Sequence, residues 1–247
     1  MESTTTIGTT FRIAKPGNDD DIHQAHTDTD TETETETETE TDLAFILSAF
    51  DSALPYLSSI GSAQQWGDIP FSSRPKTRTE FAQFIRSSYR LSLLPRDGDG
   101  DGDGQGEEGG RWCRMILALR GETRVAACGL STWLPDYLPP SLVDQIRQRL
   151  HDDDGSAPRF LYLNYLITHR FRPSRGAGAQ LIHHALDLAR HRRIPWILVD
   201  CWCGNAGGLV RFYQQHGFHP IGDAFVAPGK HKDGLEWRGS VLGRRID

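Results

Sequence analysis

The chain has 247 residues, 37% of them hydrophobic, which is enough for one well-cored domain or two small ones. No run approaches the roughly 18 uninterrupted apolar residues of a membrane helix, and the Thr-rich stretch Met1 to Phe11 lacks a charged-then-apolar leader pattern. Four cysteines at 113, 128, 201 and 203 fit neither a disulfide scaffold nor a four-ligand zinc pattern. A soluble, intracellular, cytoplasmic protein is expected, with nuclear residence also compatible.

The net charge of −6 conceals an uneven distribution. Residues 19–42 hold eleven acids and residues 97–110 six more, with no Lys or Arg in either segment, so the rest of the chain carries +11. That basic remainder suits an anionic ligand, either nucleic acid or a phosphorylated cofactor. The sequence thus reads as a disordered N-terminus (1–8) and a single domain (9–247) carrying disordered acidic insertions at 19–42 and 97–110.

Taken in chain order, Thr9 to Ala14 alternates polar and apolar residues as a half-buried strand does, and Pro16-Gly17-Asn18 closes it. The Thr-Glu repeat from Thr31 to Glu40 offers nothing to bury and stacks like charges, which favours disorder. Leu43, Ile46, Leu47, Phe50, Leu54, Leu57 and Ile60 recur at helical spacing, with a kink expected at Pro55. A loop from Gly61 to Pro75 precedes a second helix expected to open near Thr79. The Gly-Asp segment matches the EF-hand loop at Asp97, Asp99, Asp101, Gly102 and Glu108. Gly104 stands where that loop needs an apolar anchor, so a flexible loop is preferred over a calcium site.

Arg114 to Leu119 and Arg124 to Ser131 predict a hairpin about Arg120-Gly121-Glu122-Thr123, and Leu142 to Leu150 a short helix. Phe160 to Thr168 reads as a strand covered on both faces. It leads through a basic loop, His169 to Arg175, into Gly176-Ala177-Gly178-Ala179 and a helix marked by Leu181, Ile182, Ala185, Leu186 and Ala189. Such a helix start offers N–H groups and partial positive charge to a phosphate, to which Arg172 and Arg175 add charge. Leu181 in place of a third glycine excludes a dinucleotide fingerprint, and Ala179-Gln180 excludes a P-loop. A second buried strand, Trp196 to Trp202, ends at Gly204-Asn205. A helix follows from Leu209 through Tyr213 to His216-Gly217-Phe218. Strands are further expected at Phe225-Val226 and Leu235 to Leu242.

Two motifs in this stretch resemble the GNAT (GCN5-related) superfamily of N-acetyltransferases. Tyr165-Leu166-Ile167-Thr168 followed by Pro173-Ser174-Arg175-Gly176-Ala177-Gly178 is similar to the strand and Arg/Gln-x-x-Gly-x-Gly/Ala loop of that family. Asn205, Tyr213, Gly217 and Phe218 are similar to its Asn-x(n)-Tyr-x-x-x-Gly-Phe motif. Gln65-Trp66 with Pro70-Phe71 adds a resemblance between the first two helices. Pro173 departs from the pattern, since it has no N–H to donate.

The resemblance implies an α/β (α+β) fold: a mixed, mostly antiparallel sheet of six to seven strands flanked by helices. It also implies direct acetyl transfer from acetyl-CoA to a primary amine of a small molecule or peptide. Cofactor contacts are then expected from Ile167, Thr168, Arg172, Arg175, Gly176, Ala177, Gly178, Ala179, Asn205 and Tyr213. Tyr213 is the expected general acid, and Asp200 or water the base. An acyl-CoA-binding module without turnover and a nucleic-acid-binding protein are the alternatives. No membrane, nucleic-acid or metal partner is expected of the enzyme, and monomer and homodimer both stay open. His183, His184 and His191 read as surface or half-buried residues, and Cys201 with Cys203 as packing.

Overall fold

The computed structural model describes residues 8–17, 40–94, 111–150, 158–227 and 236–246. Both acidic insertions except Glu40–Asp42, the Asp97–Glu108 loop, and the first seven residues lie outside these. The elements are β1 Thr9–Ile13, α1 Asp42–Ser59, α2 Pro75–Leu93, β2 Cys113–Arg120, β3 Thr123–Ser131, α3 Pro140–Leu150 and β4 Phe160–Thr168. They continue with α4 Ala177–His191, β5 Trp196–Trp202, α5 Gly204–Gln215, β6 His219–Pro220, β7 Phe225–Ala227 and β8 Trp237–Arg245. One sheet runs β1-β2-β3-β4-β5-β8-β6, with β7 also on β8. Every pairing is antiparallel except β4 with β5. The short β6 and β7 take the count to eight strands, beyond the six to seven expected.

Side-chain alternation gives the sheet two buried faces. Ile116, Ala126, Cys128, Leu161, Leu163, Ile197, Val199 and Cys201 pack against Leu181, Ala185 and Leu186 of α4 and Tyr213 of α5. On the other face, Met115, Leu117, Ala127 and Ile167 meet α1 and α2. Tyr162, Leu198, Trp202 and Val241 meet α3 there. Hairpin and strand expectations match these elements closely. Three local expectations differ. The second helix begins at Pro75, with Arg74 as N-cap, because proline suits a first turn whose N–H groups have no intrahelical acceptor. Pro55 lies within α1, which runs unbroken to Ser59. Asp42, read as part of a solvated acidic run, is 4% exposed.

Asp42 is a junction. Its carboxylate accepts from Arg12 Nη1 and Nη2 at 2.6 and 2.7 Å, Arg124 Nε at 2.6 Å and the Lys15 N–H at 2.7 Å. Two arginines and a backbone donor thereby compensate the cost of burying the charge. Thr41 caps α1 by accepting from the Ala44 N–H at 3.1 Å.

Candidate functional site

The centre of the sheet is where its two long inner strands part. β4 and β5 pair in parallel from Phe160↔Trp196 to Leu163↔Val199, and the register stops there although both strands continue. On the β3 side, pairing skips Asn164 between Leu130↔Leu163 and Gly129↔Tyr165. This bulge bends β4 and reverses its alternation. Asn164 Nδ2 donates to Ser131 Oγ at 2.8 Å and holds the bend. The result is a gap between residues 164–168 of β4 and the end of β5, where strand edges face each other unpaired.

The loop 169–176 closes one end of this gap. His169 N–H donates to Val125 O, and its Nδ1 accepts from the Phe171 N–H at 3.3 Å, which leaves Nε2–H for Ser48 Oγ at 3.2 Å. Burial and the neighbouring Arg172 lower the His169 pKa, consistent with this neutral tautomer. Arg170 N–H reaches Ser52 Oγ at 3.0 Å, and Ser174 Oγ donates to His169 O at 2.7 Å. Two serines of α1 thus position the loop, a role that neither motif nor periodicity discloses.

Gly176, at φ 80°, makes the left-handed turn into α4. Ala177 N–H donates to Ser174 O and Gln180 N–H to Gly176 O. Among the described residues, Gly178 and Ala179 are the first-turn N–H groups with no backbone acceptor assigned. A Cβ at Gly178 would stand 3.5 Å from Thr168 Cγ2 and 4.0 Å from the Phe212 ring. Gly178 is buried, and its missing side chain lets Thr168 of β4 and Phe212 of α5 close on the start of α4.

The sequence-designated residues separate into two groups. Ile167 (buried), Thr168, Gly176, Ala177, Gly178 and Ala179 border the gap and its end. Arg175 is exposed beside them, with its carbonyl accepting from Arg120 Nη2 at 2.5 Å. Arg172 is turned toward α1: its Nη2 lies 2.8 and 3.0 Å from the Glu40 carboxylate, and its Nη1 donates to Arg124 O. Asn205 is exposed at the start of α5, where Asn205, Ala206 and Gly207 have φ of 49°, 51° and 71°. The helical turn proper therefore begins only after Gly207.

Tyr213 is 5% exposed on the α4 and α5 face, its ring against Phe218 at 5.7 Å and Phe212 at 5.2 Å. Burial, reinforced by Cys201, Asp200 and Cys128, drives its pKa well up and keeps the phenol protonated near neutrality. Asp200, by contrast, shares the opposite face with Leu198 and Trp202. Its Oδ1 accepts from Tyr137 Oη at 2.9 Å and Tyr162 Oη at 2.8 Å. The two tyrosines were not visible as a pair in sequence, being 25 positions apart, one of them within an apolar run.

All four thiols are unbridged, and burial raises those of Cys128 and Cys201 to about 12. Among the described residues no group of three or more His, Cys, Asp or Glu is placed to hold a metal ion. No described helix is long and apolar enough to cross a membrane.

The strand, glycine loop and helix of the first motif thus stand beside a parted pair of parallel strands. The Acetyltransferase (GNAT) family pattern matches residues 82–218, more than half of the chain. The chain belongs to the GNAT acetyltransferase family. Among solved structures, an N-acetyltransferase from Staphylococcus aureus Mu50 is similar at 10% identity and TM-score 0.53, covering 97% of this chain and 99% of that one. The yncA protein of Salmonella typhimurium, solved with its cofactor acetyl-CoA, is similar at 12% identity and TM-score 0.52, covering 97% and 94%. Ribosomal-protein-alanine N-acetyltransferase from Brucella melitensis is similar at 14% and TM-score 0.51, covering 84% and 96%. At these identities the likeness is one of fold. No curated protein matches the chain.

Proposed function

We propose that the chain is an acetyl-CoA-dependent N-acetyltransferase that moves the acetyl group directly to a primary amine of a small molecule or peptide. The observation that carries this reading is the gap opened beyond Leu163 and Val199, with the α4 N-terminus at its end and buried Tyr213 on one face. Acetyl-CoA would enter it as a co-substrate. Its pyrophosphate fits the N–H groups from Arg175 to Ala179, above all Gly178 and Ala179, with the Arg175 side chain adding charge. Its pantetheine amides fit the unpaired edge of β4 at Ile167 and Thr168, as a short extra strand would.

An amine attacking the thioester carbonyl forms the C–N bond, and the C–S bond then breaks. A backbone N–H near Ile167 would support the oxyanion. The leaving sulfur takes a proton from the Tyr213 hydroxyl, which its surroundings keep protonated. Asn205 would contribute to the cofactor's edge at the α5 start. Arg172, engaged by Glu40, would need to exchange partners to reach a phosphate.

Thiol release from acetyl-CoA with phenethylamine, spermidine and glycinamide tests the reading. Turnover is expected with at least one amine, and Tyr213→Phe is expected to lower kcat about 100-fold while acetyl-CoA affinity changes less than about twofold. Binding with no thiol release would instead favour the non-catalytic acyl-CoA module. An unchanged kcat in the variant would remove Tyr213 as general acid.

A further inference from the structure

We propose that Glu40 is a built-in competitor for the cofactor's phosphates, its carboxylate occupying Arg172 of the loop before α4 until acetyl-CoA displaces it. This competition rests on the acetyl-transfer reading above and sets the affinity of that same site.

The three arginines of the loop have different surroundings. Arg170 lies over the Tyr56 ring at 3.4 Å. Arg175 is exposed beside the α4 N-terminus and makes no ion pair among the described residues. Of the three, only Arg172 is held by a described carboxylate, its Nη2 standing 2.8 and 3.0 Å from the two Glu40 oxygens. Its own carbonyl accepts from the Ser174 N–H, and Ser174 O accepts from the Ala177 N–H that opens α4. Arg172 is therefore two hydrogen bonds from the helix start that a pyrophosphate would approach. A loop built to receive an anion already holds one.

Geometry says how firmly. Both Glu40 contacts go to one nitrogen, because Nη1 is given to Arg124 O at 3.2 Å. The parallel fork that makes arginine–carboxylate pairs strong uses two nitrogens, so Glu40 holds Arg172 in the weaker arrangement. The pair is also open to water, with side chains 26% and 31% exposed. Such a pair carries a preference of no more than about fivefold. A phosphate brings more charge and has the α4 N–H groups to hold it as well, which decides the exchange in its favour. The Arg172 stem stays fixed meanwhile by Arg124 O and by the Phe45 ring at 5.0 Å, so Nη2 changes partner with little to reorder.

A purely structural role for Glu40 is already filled by its neighbours. Thr41 caps α1, and Asp42 ties the helix start to Arg12 and Arg124. By linkage, the factor that Glu40 takes from acetyl-CoA affinity is the factor that bound acetyl-CoA takes from the hold of Glu40 on Arg172.

Calorimetric titration of acetyl-CoA into wild type, Glu40→Gln, Arg172→Gln and the double variant, at low and high salt, tests this. Glu40→Gln is expected to bind about three- to fivefold more tightly at low salt, with the gain shrinking as salt screens the pair. Arg172→Gln is expected to bind about fivefold more weakly. The double variant should match Arg172→Gln, since Glu40 then has nothing to withhold. Glu122→Gln removes an exposed carboxylate from the β2–β3 turn instead and should change affinity less than about twofold. Far-UV dichroism and melts check folding. Should Arg172→Gln not fold, Glu40→Gln against Glu122→Gln decides alone.

Equal or weaker binding in Glu40→Gln, a gain that persists without Arg172, or the same gain in Glu122→Gln would each overturn the competition. Inorganic pyrophosphate titrated in parallel separates this proposal from the reading beneath it. If pyrophosphate binding depends on Glu40 while acetyl-CoA does not bind, the competition at the loop stands and the acetyl-transfer reading falls. If the wild type binds neither, both fall.

Discussion

At Asp42 three parts of the chain meet through one carboxylate: β1 through Arg12, the β2–β3 hairpin through Arg124, and the start of α1. Burial alone would raise its pKa, but hydrogen bonds from Arg12, the Lys15 N–H and Arg124 outweigh that and hold it below the usual carboxylate range. A depressed folded pKa contributes stability that is fully present above the unfolded value of about 3.9 and is lost as pH falls through the folded one. Asp42→Asn should therefore cost roughly 3 kcal/mol at neutral pH, because two arginines lose their counter-charge. The difference between variant and wild type should shrink as pH drops below about 4. Thermal melts from pH 7 to pH 3 check this, and a constant difference would contradict it. In sequence Asp42 looked like the last of eleven solvated acids. Composition cannot show that the residue opening an apolar helix faces two arginines contributed from 30 positions upstream and 82 downstream. The place of Tyr213 near the end of α5 was legible because Gly217-Phe218 fixes its distance from the helix end. Tyr137 and Tyr162 were not, because only the fold joins them at Asp200.

Among the elements, α1 has its first contacts within the segment read as acidic insertion. Thr41 caps the helix and Glu40 holds Arg172 in two hydrogen bonds, so residues 40–42, read from charge as part of the insertion, belong to the packed domain. Removing residues 23–39 should then leave the melting temperature nearly unchanged. Removing 23–41 takes the cap, worth about 1 kcal/mol, and the Arg172 partner as well, and should lower the melting temperature by several degrees. Equal melts for the two deletions would contradict this division. Long periodic elements such as α1, α4, β4 and β5 were readable almost to the residue, since burial of one face or two writes directly into the pattern. The start of α5 was not. Three consecutive left-handed residues at Asn205, Ala206 and Gly207 satisfy no periodicity, and only the last is a glycine.

Over the whole molecule, the sheet does one thing that a fully paired sheet cannot: it exposes two inner strand edges to each other. The bulge at Asn164 and the pairing that ends at Leu163 and Val199 create that gap, and the α4 N-terminus caps it with N–H groups. Neither feature has a composition of its own. The sequence showed the strand, the glycine loop and the two helices, while the parting of the strands is a property of their pairing. Calorimetric titration of acetyl-CoA into wild type and Gly178→Glu tests the consequence most directly. Gly178 has ordinary helical backbone but is buried, so far-UV dichroism and a melt first establish that the variant folds. Its new side chain would project beside Thr168 and Phe212 into the mouth of the gap, with its charge facing the pyrophosphate. Binding to the wild type and none to the folded variant is expected. Equal binding to both, or none to the wild type, would contradict it.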